Sequence, residues 1–403
     1  KEIRLYAERI NSYRMTLKGL AGYLGIGKDN MQRMLVGLHQ KGFLDYDKRS
    51  GTVIVRDKLV HYVEANKGLT DFDNIDLRSS NPDSANAKLD FKSGDMQIAG
   101  VPRVNLSDSQ RVSIYPADSQ ITMQEDRDMS FEGEMFAGRF QFFGDGFSFN
   151  YDSFKVEMDN VDSLRLYYPD EETGRLVPVK NVIEDIYGDV YIDDPNNKSG
   201  QVELPEYPIF DAKEESAVYY EDPNIYNNVY QEDSFYFQIK PFVAKNLDEF
   251  ERKEIQFDGT FYSAQILPVF DHYITIMPDN SLGFSKRTPS DGYDLYQGKG
   301  TGTMEIKLSS KGLGGAGLVE YLPSSTESQQ FVFFPDSMNA TTESFNIPKE
   351  GQDRYPPVTG KTTYNHWLPY KDSMFIRERD PLSVYNEEVT FNGDLVLTPE
   401  ELY

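Results

Sequence analysis

The chain of 403 residues has no cysteine, so it has neither a disulfide framework nor a thiolate metal site. That absence leaves the redox compartment open, because a large chain in either setting can do without thiols. Histidine is scarce as well. His39, His61, His272 and His366 include no H-x-H or H-x-x-x-H pair, which removes a zinc site built by near neighbours. No apolar run approaches the roughly 18 residues that a membrane-spanning helix needs. Positive charge is in deficit: 41 Lys and Arg face 66 Asp and Glu, for a formal net charge of −25. That balance argues against nucleic acid or an anionic bilayer as the main partner. The glycine run Gly298–Thr303 has neither the G-K-[ST] ending of a phosphate loop nor the G-x-S-x-G elbow of a serine nucleophile, and reads as a turn.

What the chain has in quantity is aromatic side chains, 27 Tyr and 26 Phe, a load that fits a β-rich protein. The stretch Met129–Leu166 shows why. Phe147, Phe149 and Tyr151 alternate with Ser148 and Asn150, and Phe154, Val156 and Met158 alternate with Lys155, Glu157 and Asp159. A period of two puts each set on one face of a strand, whereas a helix would scatter them. Gly144 and Gly146 sit where the strand has to bend or bulge. Further on, Met304, Ile306 and Leu308 alternate with polar residues, and Gly312, Gly314, Gly315 and Gly317 then read as a turn into Leu318–Leu322.

The opening of the first stretch recurs. Phe131-Glu132-Gly133 is echoed by Phe257-Asp258-Gly259 and by Phe391-Asn392-Gly393, each inside a strand-length run. A spacing of roughly 130 residues is too long for one coil of a β-helix and fits a small β domain. The expected fold is therefore mainly β: repeated antiparallel β domains, or a β-solenoid or sandwich body, behind a small N-terminal α+β domain. The expected division is 1–66 for that domain, 67–87 for a linker, 88–250 and 251–385 for two β-rich units, and 386–403 for the start of a third. A chain that begins at Lys1 and stops as a repeat opens is expected to be a piece of a longer polypeptide.

Residues 1–66 follow another period. Ile3, Leu5, Tyr6 and Ile10, then Leu17, Leu20, Ala21 and Leu24, then Met31, Met34, Leu35 and Leu38 fall at helical spacings. Gly42 closes the third helix, and Phe43–Tyr46 and Thr52–Arg56 flank a polar loop as a hairpin. Leu17–Leu35, Lys41-Gly42-Phe43-Leu44 and Thr52–Val55 together resemble the winged helix-turn-helix family. The resemblance implies a helix lying in the DNA major groove and a wing on the backbone, which would map to Asn30, Gln32 and Arg33 and to Lys48 and Arg49. Two features depart from a DNA reader. Asp29 would face phosphate at the helix start, and Lys28–Lys41 holds only three basic residues, Lys28, Arg33 and Lys41. A structural or protein-contact role is expected instead, since fold does not fix function.

Other clusters invite chemistry. Asp193–Gly200 is oxygen-rich like a calcium loop but lacks the D-x-D-x-D-G spacing, so a solvated turn is expected. Asp170-Glu171-Glu172 and the run Asp211, Glu214, Glu215, Glu221, Asp222 could supply the paired carboxylates of glycoside cleavage, but nothing singles out a pair. Trp367, beside His366, reads as a packed core element before a sugar platform or an interface hot spot. No catalytic residue, cofactor or metal ligand is assigned. Residues 300–322, Phe331–Met338 and the F-x-G runs resemble segments of very large uncharacterised β-rich envelope proteins of Gram-negative bacteria. The expected function is a non-enzymatic β-repeat structural or binding protein of the cell envelope, touching protein partners or further repeats of the same chain. Two alternatives stand beside it: a cytoplasmic DNA-binding regulator with an acidic β-rich effector domain, and a carbohydrate-active enzyme or sugar-binding protein.

Overall fold

The computed structural model describes residues 1–403 except 68, 70, 72–74, 82–84, 171, 350–354 and 387. The N-terminal region runs α1 (Glu2–Arg9), β1 (Arg14–Thr16), α2 (Leu17–Leu24), α3 (Lys28–Gln40), β2 (Leu44–Asp47), β3 (Thr52–Val55) and α4 (Asp57–Ala65). Local chemistry sets these ends. Thr16 caps α2 by accepting from the Gly19 amide at 3.1 Å, and Gly25 ends it in the left-handed region at φ 66°. The central β3 pairs with β1 on one side and β2 on the other. Leu20, Leu35, Leu44 and Val53 are fully buried in a core of their own, separate from that of the body. Met34 departs from the expected stripe: it is 50% exposed, because the core takes only Met31 and Leu35 from the central turns of α3. Within the stretch expected as a linker, residues 68, 70, 72–74 and 82–84 lie outside the described residues, and Asp76–Leu77 pairs with Val104–Asn105.

The body is mainly β, and its strands repeat one plan three times. In the first copy a hairpin, Val104–Ser107 with Val112–Pro116, is nested inside an outer pair, Met96–Ala99 with Gln120–Met123. The second copy nests Ser216–Tyr219 with Phe235–Ile239 inside Ile209–Ala212 with Phe242–Ala244. The third nests Thr363–Leu368 with Ser373–Glu378 inside Val358–Gly360 with Leu382–Val384. Pro116 ends its inner strand, still opposite Gly133, and Pro241 and Pro381 stand between inner and outer strand.

Each nest is followed by an F-x-G strand, and the glycine marks a crossing. In Met129–Ala137, residues 129 and 130 pair with the outer strand and residues 133–137 with the inner one. In the third copy Val389–Phe391 pairs with the outer strand and Leu395–Leu397 with the inner, with Gly393 between them at φ 150°. In the second copy residues 259–263 pair with the inner strand, while Phe257 packs its ring on Phe242 of the outer strand at 4.8 Å. The three F-x-G runs therefore occupy equivalent places. Ladders join Phe235–Ile239 to Gln256–Ser263 and Ser373–Glu378 to Leu395–Leu397, so hydrogen-bonded pairing runs across residues 250 and 385.

Long strands then extend the sheet: Phe140–Asn150 and Lys155–Pro169 in the first unit, Gly300–Ser309, Gly312–Tyr321 and Ser324–Phe334 in the second. The first unit passes into the second where Phe235–Ile239 pairs with Gln256–Ser263, and within the second Phe270–Ile276 pairs with Leu282–Arg287, which pairs onward with residues 305–308. One apolar core runs through both. Phe147, Phe149, Val156, Met158, Met304, Ile306 and Leu308 are all buried, as their alternation requires. The turn expected across Gly312–Gly317 is shorter. It occupies residues 310 and 311, and Gly314, Gly315 and Gly317 lie inside the next strand, where a Cβ on Gly315 would meet Met304 Sδ at 2.7 Å.

Gly133 carries the crossing at φ 122°, and a Cβ there would lie 2.5 Å from Tyr115 O and 2.6 Å from Ala117 N. Both neighbours are backbone and cannot move without opening the ladder. Gly133→Ala is expected to cost about 2–3 kcal/mol from strain and overpacking. Gly174→Ala, at φ 66° with nothing within 4 Å, is the matched control and is expected to cost only about 1 kcal/mol. Urea midpoints of the two variants decide the matter, and equal losses would rule out steric crowding at the crossing.

Candidate functional site

The face of α3 and the β2–β3 turn hold the residues that the resemblance singled out. Asn30, Arg33, Lys48 and Arg49 are exposed and Gln32 is half-buried. Their polar groups are partly engaged at home. Arg33 Nη2 donates to Asn30 Oδ1 at 2.7 Å, and Asp47 accepts from the Arg49 amide at 2.8 Å and from Ser50 Oγ at 2.7 Å, which fixes the turn. Those bonds hold the Asp47 carboxyl below its ordinary range, Ser50 first and the Arg49 amide second.

A larger ordered surface lies on the second nest. Strands Ser216–Tyr219, Phe235–Ile239, Gln256–Ser263 and Phe270–Ile276 are neighbours in that order. Phe235, Phe237, Ile239, Phe257 and Phe261 turn inward and are buried. The alternate residues face out. Tyr219, Tyr236 and Tyr262 are direct cross-strand partners, with ring centroids 6.0 Å and then 4.7 Å apart, the second pair stacked at 20°. Such aromatic pairs add about 0.5–1.5 kcal/mol each beyond area burial. Tyr219 Oη donates to Asp185 Oδ2 at 2.7 Å, and burial together with that carboxylate raises its pKa.

The next row on this face is ionic. Gln238 donates to Glu215 at 2.6 Å, and Thr260 Oγ1 donates to Asp271 at 2.6 Å. Lys240 Nζ sits between Asp258 at 3.1 Å and Asp271 at 3.2 Å. The Thr260 hydroxyl and the Lys240 ammonium hold Asp271 below the usual carboxylate range. Beside Tyr262 opens a cavity of about 510 Å³ whose walls include Leu267, Pro268, Val269, Asp294 and Gln297. Phenol rings, carboxylates and one apolar recess together suit hydrogen-bonded and stacking contact with a partner. The sequence signal for this row was present but faint: Tyr236 alternates with Phe235 and Phe237, and Tyr262 with Phe261.

The other clusters serve the fold. In the Asp193–Gly200 loop the Asp193 carboxylate is buried and accepts from Gln110 Nε2 at 2.9 Å, Asn197 Nδ2 at 3.1 Å and the Asp194 amide at 2.7 Å. Its oxygens point at N–H donors, and among the described residues no group of three or more His, Asp or Glu is set to hold a metal. Asp170 holds its turn by accepting from the Thr173 amide and hydroxyl, and Asp222 does the same for the Asn224 amide, while Glu171 lies outside the described residues. Asp211 pairs with Asp189 across two strands. His366 Nδ1 lies 2.6 Å from Asn339 Oδ1, and burial lowers its pKa. Trp367 is fully buried in the core. In comparison with known proteins, no family model, no curated protein and no solved structure matches the chain.

Proposed function

We propose that the chain is a non-enzymatic β-repeat structural and binding protein of the cell envelope, working through protein contacts. The observation that carries this reading is the threefold nest-and-crossing plan, linked by ladders that run from one unit into the next. A continuous hydrogen-bonded body of this kind transmits position rigidly and offers faces and edges for contact. The outward row Tyr219–Tyr236–Tyr262 supplies a half-buried aromatic patch rimmed by charge, which is the make-up of a contact surface. In this reading the N-terminal region is a winged-helix-like module used for structure. Its short supply of free cations on α3, with Arg33 tied to Asn30, suits that role better than phosphate binding.

Fractionation of the source cells, with detection of the polypeptide that contains these residues, tests the proposal. Recovery with the envelope or outside the cell is the expected result. Recovery in the cytosol would overturn it and bring the DNA-binding alternative forward.

A further inference from the structure

Resting on the protein-contact reading above, we propose that the outward face of the second nest docks a basic protein segment, one arginine of which enters the recess beside Tyr262. Register fixes what this face displays. Glu184 stands opposite Ala217, and the row runs on through Gln238 and Thr260 to Asp271. Tyr219, Tyr236 and Tyr262 lie two residues along their strands from Ala217, Gln238 and Thr260, so both rows share one face. Asp258 and Tyr273 follow as a direct pair on the same face, with Tyr273 49% exposed.

The charge on this face is lopsided. Glu184, Asp185, Glu215, Asp258 and Asp271 stand on it or at its rim, and Lys240 among them is already held between Asp258 and Asp271. Burial first, then Asp185 and Glu232, push the Glu184 carboxyl above its ordinary pKa, so like charges crowd this corner of the sheet. A basic partner complements that field. The recess of about 510 Å³ adds shape: Leu267, Pro268 and Val269 form an apolar wall, Tyr262 supplies a ring and the exposed Asp294 a carboxylate. An arginine side chain answers all three, since its stem lies along apolar surface, its guanidinium stacks on a ring and its fork pairs with a carboxylate. A sugar is the poorer fit. Tyr236 and Tyr262 stack on each other at 20°, so their faces are turned to one another and are not laid flat toward solvent as a platform.

The test uses the whole chain and a fluorescein-labelled peptide of alternating arginine and glycine, with affinity read by anisotropy. Because a chain of net charge −25 attracts any polycation, two triple variants that remove equal charge are compared. Asp258→Asn, Asp271→Asn and Asp294→Asn together are expected to weaken binding at least about tenfold. Asp118→Asn, Glu132→Gln and Asp159→Asn, at exposed carboxylates of the first unit, are expected to change it less than about twofold. Tyr262→Leu, which keeps the apolar bulk, and a lysine–glycine peptide, whose ammonium has no planar fork to stack and pair, are each expected to weaken binding about fivefold. Circular dichroism confirms that the variants are folded, and the comparison of the two peptides on the unaltered chain stands without them. Equal losses in the two triple variants would assign binding to overall charge, and equal affinity for the lysine peptide would remove the stacked guanidinium. Either result, or no binding of the arginine peptide at low salt, would overturn the proposal. Each would leave the envelope location untouched, since fractionation reads that independently.

Discussion

Replacing Asp189 by alanine is expected to destabilise the first unit by about 3 kcal/mol, the lower end of the loss seen when a buried ion pair is broken from one side. Asp189 is 2% exposed, two residues from the end of the strand Ile183–Tyr191. Its carboxylate accepts from Lys155 Nζ at 2.9 Å and Lys213 Nζ at 2.8 Å, and Tyr191 Oη lies at 3.4 Å. The loss stays near the lower end because Lys155 keeps Glu157 at 2.8 Å, and the half-exposed Lys213 side chain can turn to water. Asp189→Asn keeps the volume but leaves the two ammonium groups without their shared charge, so it is expected to fall close to the alanine variant.

The same site sets a pH dependence. Burial alone would raise the Asp189 pKa; the ammonium groups of Lys213 and Lys155 outweigh it and hold the carboxyl below its ordinary value. A folded pKa below the unfolded one gives stability that is fully present above the unfolded value, roughly 3.9, and is lost as pH falls through the folded value. Urea midpoints taken at neutral pH and again below about pH 3 should therefore converge for the parent chain and Asp189→Ala. A gap that persisted unchanged in acid would show that the aspartate acts through packing and not through charge.

Much of this architecture was legible in short stretches, because alternation is a local signal. Phe147, Phe149, Val156 and Met158 lie buried as their spacing demanded, and so do Leu17, Leu20, Ala21, Met31 and Leu35 on their helices. The F-x-G echo also marked a real structural position, the crossing from outer to inner strand. Local period misled at the ends of elements. Phe154 fits the alternation but sits in the turn before Lys155–Pro169 at φ 50°, its carbonyl held by the Ile192 amide at 3.0 Å. The nested pairs could not be read at all, because Met96–Ala99 and Gln120–Met123 are separated in sequence by a whole inner hairpin. The candidate surface was hidden for the same reason. Tyr219, Tyr236 and Tyr262 belong to three separate strands, and no single window contains the row that register assembles.

Trp367→Ala is expected to be the most damaging single change in the second unit, costing about 3–5 kcal/mol. The only tryptophan lies fully buried on Thr363–Leu368, the inner-nest strand of the third copy. Its indole meets Tyr296 edge-on at 5.2 Å and Tyr321 at 5.0 Å. Gly300 passes so close that a Cβ there would stand 2.7 Å from the indole Cη2 atom. One side chain thus joins the long strands of the second unit to the nest of the third. Tyr296 is in turn anchored by its hydroxyl, which donates to Ser337 O at 2.6 Å, so its ring cannot swing in to fill the hole that alanine would leave. That immobility is why the cavity cost should approach the full value. Trp367→Phe separates packing from hydrogen bonding. Indole Nε1 finds no acceptor among the described residues, so phenylalanine gives up no hydrogen bond and is expected to cost no more than about half as much. Equal losses for the two variants in denaturant unfolding would mean that a phenyl ring recovers none of the packing and that the junction depends on the full indole shape.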